Sequence, residues 1–333
     1  MLTDSNEWRP GPKNAITDVA GIRVGHWTDR RRATGCTVIR CETAVAAAVD
    51  TRGGAPGTRE TDVLGLSNLV RTCHAIVLTG GSAFGLASAT GVMRSLSEQG
   101  VGFETAHGHI PIVPAAVLYD LGVGDATAFP GEEAGYLAAR GARGGRVAEG
   151  SVGAGTGATV AKLLGPDPQL KGGVGTASCL GPRRIVVGAI VVTNAAGSIY
   201  DPETGACIAG PRDGNGGFVP LPAALAERTV RVDRLLENTT LIVVGTNATL
   251  EPHHLHRVAI HAHDGLARVV QPAHTFADGD VAFAVSVGGI EARADDVLTV
   301  GALAAHAVEQ ALLRSVRMAR GVRGAPAAAE YVA

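Results

Sequence analysis

Asn238-Thr239-Thr240 runs directly into the apolar stretch Leu241-Ile242-Val243-Val244, and an acidic turn, Asp278-Gly279-Asp280, follows further along the chain. A hydroxyl at the threshold of a buried strand, one peptide bond after Asn, becomes a chain-terminal nucleophile if that bond breaks. A threonine alcohol is weak at neutral pH, but a free α-amine on the same residue, with a reference pKa of about 7.7 to 8, can take its proton. That value lies near working pH, where general-base catalysis is most efficient. Thr239 would then carry its own base.

Such a residue needs strands and helices to hold it. Short runs rich in Val, Ile and Ala, at residues 44–49, 75–78, 110–113, 185–192, 241–244 and 281–287, read as mostly buried strands. Helical spacing is read over residues 84–96. It recurs at Leu255, Val258, Ala259, Ala262, Leu266 and Val269, and again over residues 298–318. Alternating strands and helices give an α/β class. The glycine-rich stretch 141–175 surrounds Lys162 and reads as a loop that brings backbone close to a site. Residues 205–234, with Pro211, Pro220 and Pro222, read as an exposed excursion ahead of the Asn238-Thr239 bond. Because residues 241–244 read as core strand, residues 1–333 are expected to form one domain.

Composition narrows the function. The formal charge is −2 and the basic residues are dispersed apart from Arg30-Arg31-Arg32 and Arg183-Arg184, so no stripe points to a nucleic-acid partner. Five cysteines without a Cys-x-x-Cys spacing argue against a disulfide framework and a thiolate metal site. A polar start, Met1 to Glu7, lacks a secretion-signal profile, and the apolar run 185–192 is far short of the roughly 20 residues that cross a bilayer. A cytoplasmic protein without a membrane span is the expectation.

Three motifs invite other chemistry. Gly153-Ala154-Gly155-Thr156-Gly157-Ala158 fits a loose dinucleotide fingerprint, but no hydrophobic strand leads into it. In Gly80-Gly81-Ser82-Ala83-Phe84-Gly85 the second residue after Ser is Phe84 rather than the glycine a nucleophile elbow needs. Ser82 reads as a helix cap there, with an oxyanion or substrate-wall role for the turn as the alternative. His253, His254, His256, His261, His263 and His274 do not converge by helical spacing on a three-ligand metal site, and His274 reads as leading into a strand. No cofactor or metal is expected.

Taken in order, several segments resemble the DmpA-type N-terminal nucleophile peptidases. They are Asp18-Val19-Ala20-Gly21-Ile22-Arg23-Val24-Gly25-His26, Leu78-Thr79-Gly80-Gly81-Ser82-Ala83-Phe84-Gly85-Leu86, Tyr119-Asp120-Leu121, Val192-Thr193-Asn194-Ala195-Ala196-Gly197, Asn238-Thr239-Thr240, His263-Asp264-Gly265-Leu266-Ala267-Arg268, His274-Thr275 and Asp278-Gly279-Asp280. That family includes L-aminopeptidase/D-esterases, β-peptidyl aminopeptidases and 6-aminohexanoate-oligomer endohydrolases. The resemblance implies an αββα sandwich of the DmpA/ornithine acetyltransferase-like type, self-cleaved into residues 1–238 and 239–333, and a homo-oligomer such as a tetramer. It makes Thr239 the nucleophile and Asn238 the residue left behind. Asp278 and Asp280 become the pair that orients the new terminus, with Lys162, Tyr119 and Asn194 grouped around it. Asn194 would offer its side-chain amide to a developing oxyanion.

The activity implied is hydrolysis of small peptides, amino-acid amides or linear amide oligomers through an acyl-enzyme. An ornithine acetyltransferase-like transferase and a non-catalytic small-molecule binding protein of the same fold are the alternatives. Many aminopeptidase members carry Ser at the nucleophile, so Thr239 draws the chain toward the oligomer hydrolases. Residues 115–118 before Tyr119 are apolar, where an aminopeptidase would need a carboxylate for the substrate's ammonium.

Overall fold

A computed structural model describes residues 8–226, 237–293 and 295–332. Eight strands build the main sheet system: β1 (Ile22–Asp29), β2 (Thr34–Thr51), β3 (Thr72–Thr79), β4 (Ala115–Val117), β5 (Gly173–Leu180), β6 (Val186–Asn194), β7 (Thr239–Thr249) and β8 (Val281–Glu291). Four helices cover it: α1 (Ser88–Ser97), α2 (Glu132–Arg140), α3 (Pro252–Val269) and α4 (Asp296–Arg317). The order is β5-β6-β7-β8-β2-β3-β4, with β1 paired to the first half of β2 and short flanking strands at either edge. Neighbours are antiparallel except β7 with β8 and β3 with β4.

The long β2 is the seam. Residues 46–51 pair with β8 while residues 34–41 pair with β1, and the register against β3 shifts between Arg40 and Val45. The ladder therefore folds over into two facing layers. Side chains alternate across each layer, as the two-residue period of a strand requires. Leu241, Val243, Phe283, Val285, Ile190 and Val192 meet Ile39, Ile76 and Leu78 between the layers. Ile242, Val244, Ala282 and Ala284 face α3 and α4, and Val38, Ala75 and Val77 face α1 and α2. The result is the expected αββα sandwich, in which each large apolar side chain buried contributes about 1.5 to 3 kcal/mol.

The structure differs from the strand and helix expectations in several places, β1 and the first half of β2 being strands not read from the sequence. Residues 110–113 are not a sheet strand: Ile110 ends a small hairpin, and Pro111 and Pro114 lack the N–H a ladder needs, so the sheet strand begins at Ala115. Helix α2 and the glycine-rich β5 were not read from the sequence. In β5 a β-carbon on Gly175 would lie 1.9 Å from the Ala311 carbonyl oxygen, so glycine there lets α4 lie directly on the strand.

α4 is long and apolar enough to cross a membrane by length and composition, and most of it is buried against β5 and β6. The excursion 205–234 is described as far as residue 226, where its proline-rich part carries a short helix, Leu221–Ala226; its remainder, like residues 1–7, lies outside the described residues.

Candidate active site

Three strand ends converge between the layers. β6 ends at Asn194, which is the register partner of Thr239 at the start of β7. β8 begins at Val281, opposite Leu241, and Asn238 bridges Asp278 in the same parallel sense. That offset puts Gly279 opposite Thr239 and Asp280 opposite Thr240. All of Asn194, Asn238, Thr239, Asp278 and Asp280 are buried.

At the centre is the Asn238-Thr239 peptide bond. Thr239 Oγ lies 2.5 Å from the Asn238 carbonyl oxygen, to which it donates, and the Gly279 N–H donates to the same oxygen at 2.8 Å. A β-carbon on Gly279 would sit 2.7 Å from Thr239 Oγ, so the acidic turn needs glycine in the middle for the hydroxyl to fit. One residue upstream, the Glu237 carbonyl oxygen accepts from Lys162 Nζ and from Asn194 Nδ2, both at 2.8 Å. Lys162 also donates to Asn194 O at 3.0 Å and to its Oδ1 at 3.1 Å. Ala161, just before it, is held at φ 61°, a left-handed conformation a residue with a β-carbon rarely adopts, and such strain concentrates at functional sites.

The structure brings together all six residues singled out from the sequence, with three differences from the expected contacts. Tyr119 reaches the cluster through its carbonyl oxygen, which accepts from Asn194 Nδ2 at 3.2 Å. Asp280 holds the residue after Thr239, its Oδ1 accepting from the Thr240 N–H at 2.6 Å. The strand register sets this, because Asp280 stands opposite Thr240. Asn194, expected to offer its amide to an oxyanion, has that amide engaged in the uncut chain by Glu237 and Tyr119, while its Oδ1 accepts from the Thr159 N–H.

Burial perturbs the charges. Desolvation pushes the Lys162 pKa down to about 7 against the pull of the Glu237, Asp278 and Asp120 carboxylates. Desolvation and the repulsion of Asp280 push Asp278 up to about 6, although it accepts from the Thr275 N–H at 2.7 Å. Burial therefore brings an amine and a carboxyl of the cluster toward neutral pKa values, as functional sites often do.

Sequence reasoning missed several supports. His274, read as leading into a strand, is a loop residue at φ 54° whose Nδ1 lies 2.9 Å from Asp280 Oδ2, and its own N–H donates to that oxygen at 3.2 Å. Burial works against its charged form, but the bond to Asp280 prevails and raises its pKa. Behind it His263 packs edge-on with ring centroids 4.8 Å apart, and burial pushes His263 down to about 4. The histidines therefore divide among carboxylates: His256 and His263 face Asp50, His261 faces Asp264 and His274 faces Asp280.

The glycine turns have structural duties. The N–H groups of Gly80, Gly81 and Ser82 donate to Gly35 O, Asp120 Oδ1 and Leu118 O, so none is left for an oxyanion. Ser82 makes no capping hydrogen bond; Gly81, at φ 83°, occupies the cap position. Gly153 and Ala154 donate to the hydroxyls of Thr28 and Thr37, the amides a phosphate would need.

Comparison with known proteins gives the chain a family. Residues 14–329 match the profile of peptidase family S58. An uncharacterized aminopeptidase of Mycobacterium leprae is 41% identical over 95% of this chain and 93% of its own. The 6-aminohexanoate-oligomer endohydrolase of Kocuria sp. is 32% identical over 82% of this chain and 75% of its own. Among solved structures, a Burkholderia sp. beta-aminopeptidase superposes with a TM-score of 0.74 over 98% of this chain and 94% of its own, at 23% identity. The protein belongs to peptidase family S58 and is a hydrolase of peptide or amide bonds.

Proposed function

We propose that the chain cuts itself before Thr239 and then works as an N-terminal threonine amidohydrolase on small peptides, amino-acid amides or linear amide oligomers. The observation that carries this reading is the Asn238 carbonyl, polarised by the Gly279 N–H and approached to 2.5 Å by the hydroxyl of Thr239. In the uncut chain Oγ attacks the Asn238 carbonyl carbon, the C–N bond breaks and the nitrogen takes a proton. Water hydrolyses the resulting ester. The hydroxyl proton leaves through the Lys162 and Asp278 pair, which titrates near neutrality.

Cleavage releases residues 237 and 238 from Lys162 Nζ, Asn194 Nδ2 and the Gly279 N–H, so these donors become available to a substrate acyl group. The freed α-amine then serves as base for Oγ. An acyl-enzyme forms as the amine product leaves with a proton, and water restores the hydroxyl. Asp280 fixes the strand start through Thr240, and Asp278 supplies the carboxylate beside the new amine.

In this reading residues 1–238 and 239–333 remain one domain, and the cut units assemble as a homo-oligomer. A Thr239→Ala chain should stay whole on a denaturing gel and hydrolyse no amide. A Thr239→Ala chain that still splits would remove the basis of the reading.

A further inference from the structure

The uncut chain displays its own first acyl donor in place, and the donors around that segment bear on which substrates follow it. Asn238 presents the carbonyl to be attacked, and the carbonyl on its α-nitrogen is that of Glu237. The Glu237 oxygen is received by two hydrogen-bond donors, Lys162 Nζ and Asn194 Nδ2, each at 2.8 Å. Of the nearby carboxylates, Asp280 is bonded through both oxygens, to Thr240 and to His274. Asp120 accepts from the Gly81 N–H through Oδ1, and its buried Oδ2 has no hydrogen-bond partner among the described residues. Asp278 accepts from Thr275 and stands beside the amine that acts as base. Residues 115–118, ahead of Tyr119, are buried and apolar.

We propose that the mature site selects acyl donors whose α-nitrogen is already acylated, such as interior bonds of a peptide or N-acylated amino-acid amides, over aminoacyl amides with a free α-ammonium. The inference rests on the reading of Thr239 as nucleophile. A substrate that places its reacting carbonyl where Asn238 places its own sets the group on its α-nitrogen at the position of Glu237 O. An N-acyl oxygen inherits both hydrogen bonds. A free ammonium brings a positive charge against two donors, one of them a lysine, and offers neither of them the acceptor that Glu237 O supplies. Sites built to hydrogen-bond a substrate group reject analogues that lack it strongly. Burial lowers the Lys162 pKa to about 7, which softens the charge repulsion without removing it.

Matched pairs of p-nitroanilides of Asn, Ala and Leu, each with the α-amine free and acetylated, test this on the purified, cut protein. The acetylated member should show kcat/KM higher by about 100-fold at pH 7. The free-amine member should gain on it as pH rises through about 8, where an α-ammonium loses its proton. Equal rates, or faster turnover of the free amine at pH 7, would overturn the inference while leaving the hydrolase reading intact. Turnover of no member of any pair would sink that reading and the inference with it.

Discussion

Two lysines of this protein are pushed by burial to the same pKa of about 7, and their surroundings separate them. Lys162 is held by Asn194 and by the carbonyl of Glu237, on the chain running up to the Asn238-Thr239 bond. Lys171, fully buried on the other side of the glycine loop, donates to the carbonyls of Gly155 and Ala158, and Asp120, raised to about 6 by its own burial, is its charge partner. Perturbation alone therefore marks desolvation. What separates the two lysines is the chain each one faces. Lys162 meets a segment that the reaction would displace, and Lys171 meets a turn that nothing displaces.

The largest expected effect breaks that contrast at Lys162. Lys162→Met should slow self-cleavage by about 1,000-fold or more, in the range of losing an activated group and its electrostatic support, while the chain stays folded by circular dichroism. Cleavage at the ordinary rate would make the two lysines equivalent. Asn194→Ala comes next, with a loss of about 100-fold in kcat on a hydrolysed amide, because the amide that receives Glu237 in the uncut chain is no longer there for a substrate oxygen.

Lys171→Met should act on stability. It strips the donor from the Gly155 carbonyl, at about 1 to 3 kcal/mol for a buried group left unsatisfied, while Ala158 O keeps the Gly172 N–H, and it removes the counter-charge of Asp120. Denaturant melts should report the loss, and the folded fraction should still cut itself. Loss of cutting with unchanged stability would reverse the assignment.

pH gives the smallest and broadest test. In the proposed reaction an ionised Asp278 holds the new amine, so hydrolysis should fall off below about pH 6, to which burial raises its carboxyl. Stability has a separate acid limb. His26 and His263 are both depressed by burial from 6.5 to about 4. Between those values the unfolded chain binds protons that the folded chain does not, so stability is complete above about pH 6.5 and declines as pH falls through about 4. Thermal melts across that window should show the decline, and a flat profile would contradict the buried neutral histidines.

The strand start at Thr239 and the acidic turn opposite it were legible because their signals are local. A polar Asn-Thr-Thr abutting an apolar run, an Asp-Gly-Asp turn and two amphipathic helices each announce themselves within a few residues. The supports were not, because their causes are long-range. β5 is rich in glycine for the sake of α4, packed on its face, and its own sequence reads as loop. His274 acquires its role from Asp280 and from a left-handed backbone, neither of which periodicity reveals. Lys171 has no neighbour in sequence that distinguishes it from a solvated lysine. The same holds for the glycine turn 80–82, whose amides looked available until Asp120, Gly35 and Leu118 were seen to take them.

The most direct test of the account is the covalent state of the active protein, read by intact mass together with the first residue of each polypeptide. The account predicts two polypeptides, residues 1–238 and 239–333, the second beginning with Thr239. A fully active preparation consisting of one polypeptide with the bond between Asn238 and Thr239 intact would contradict it.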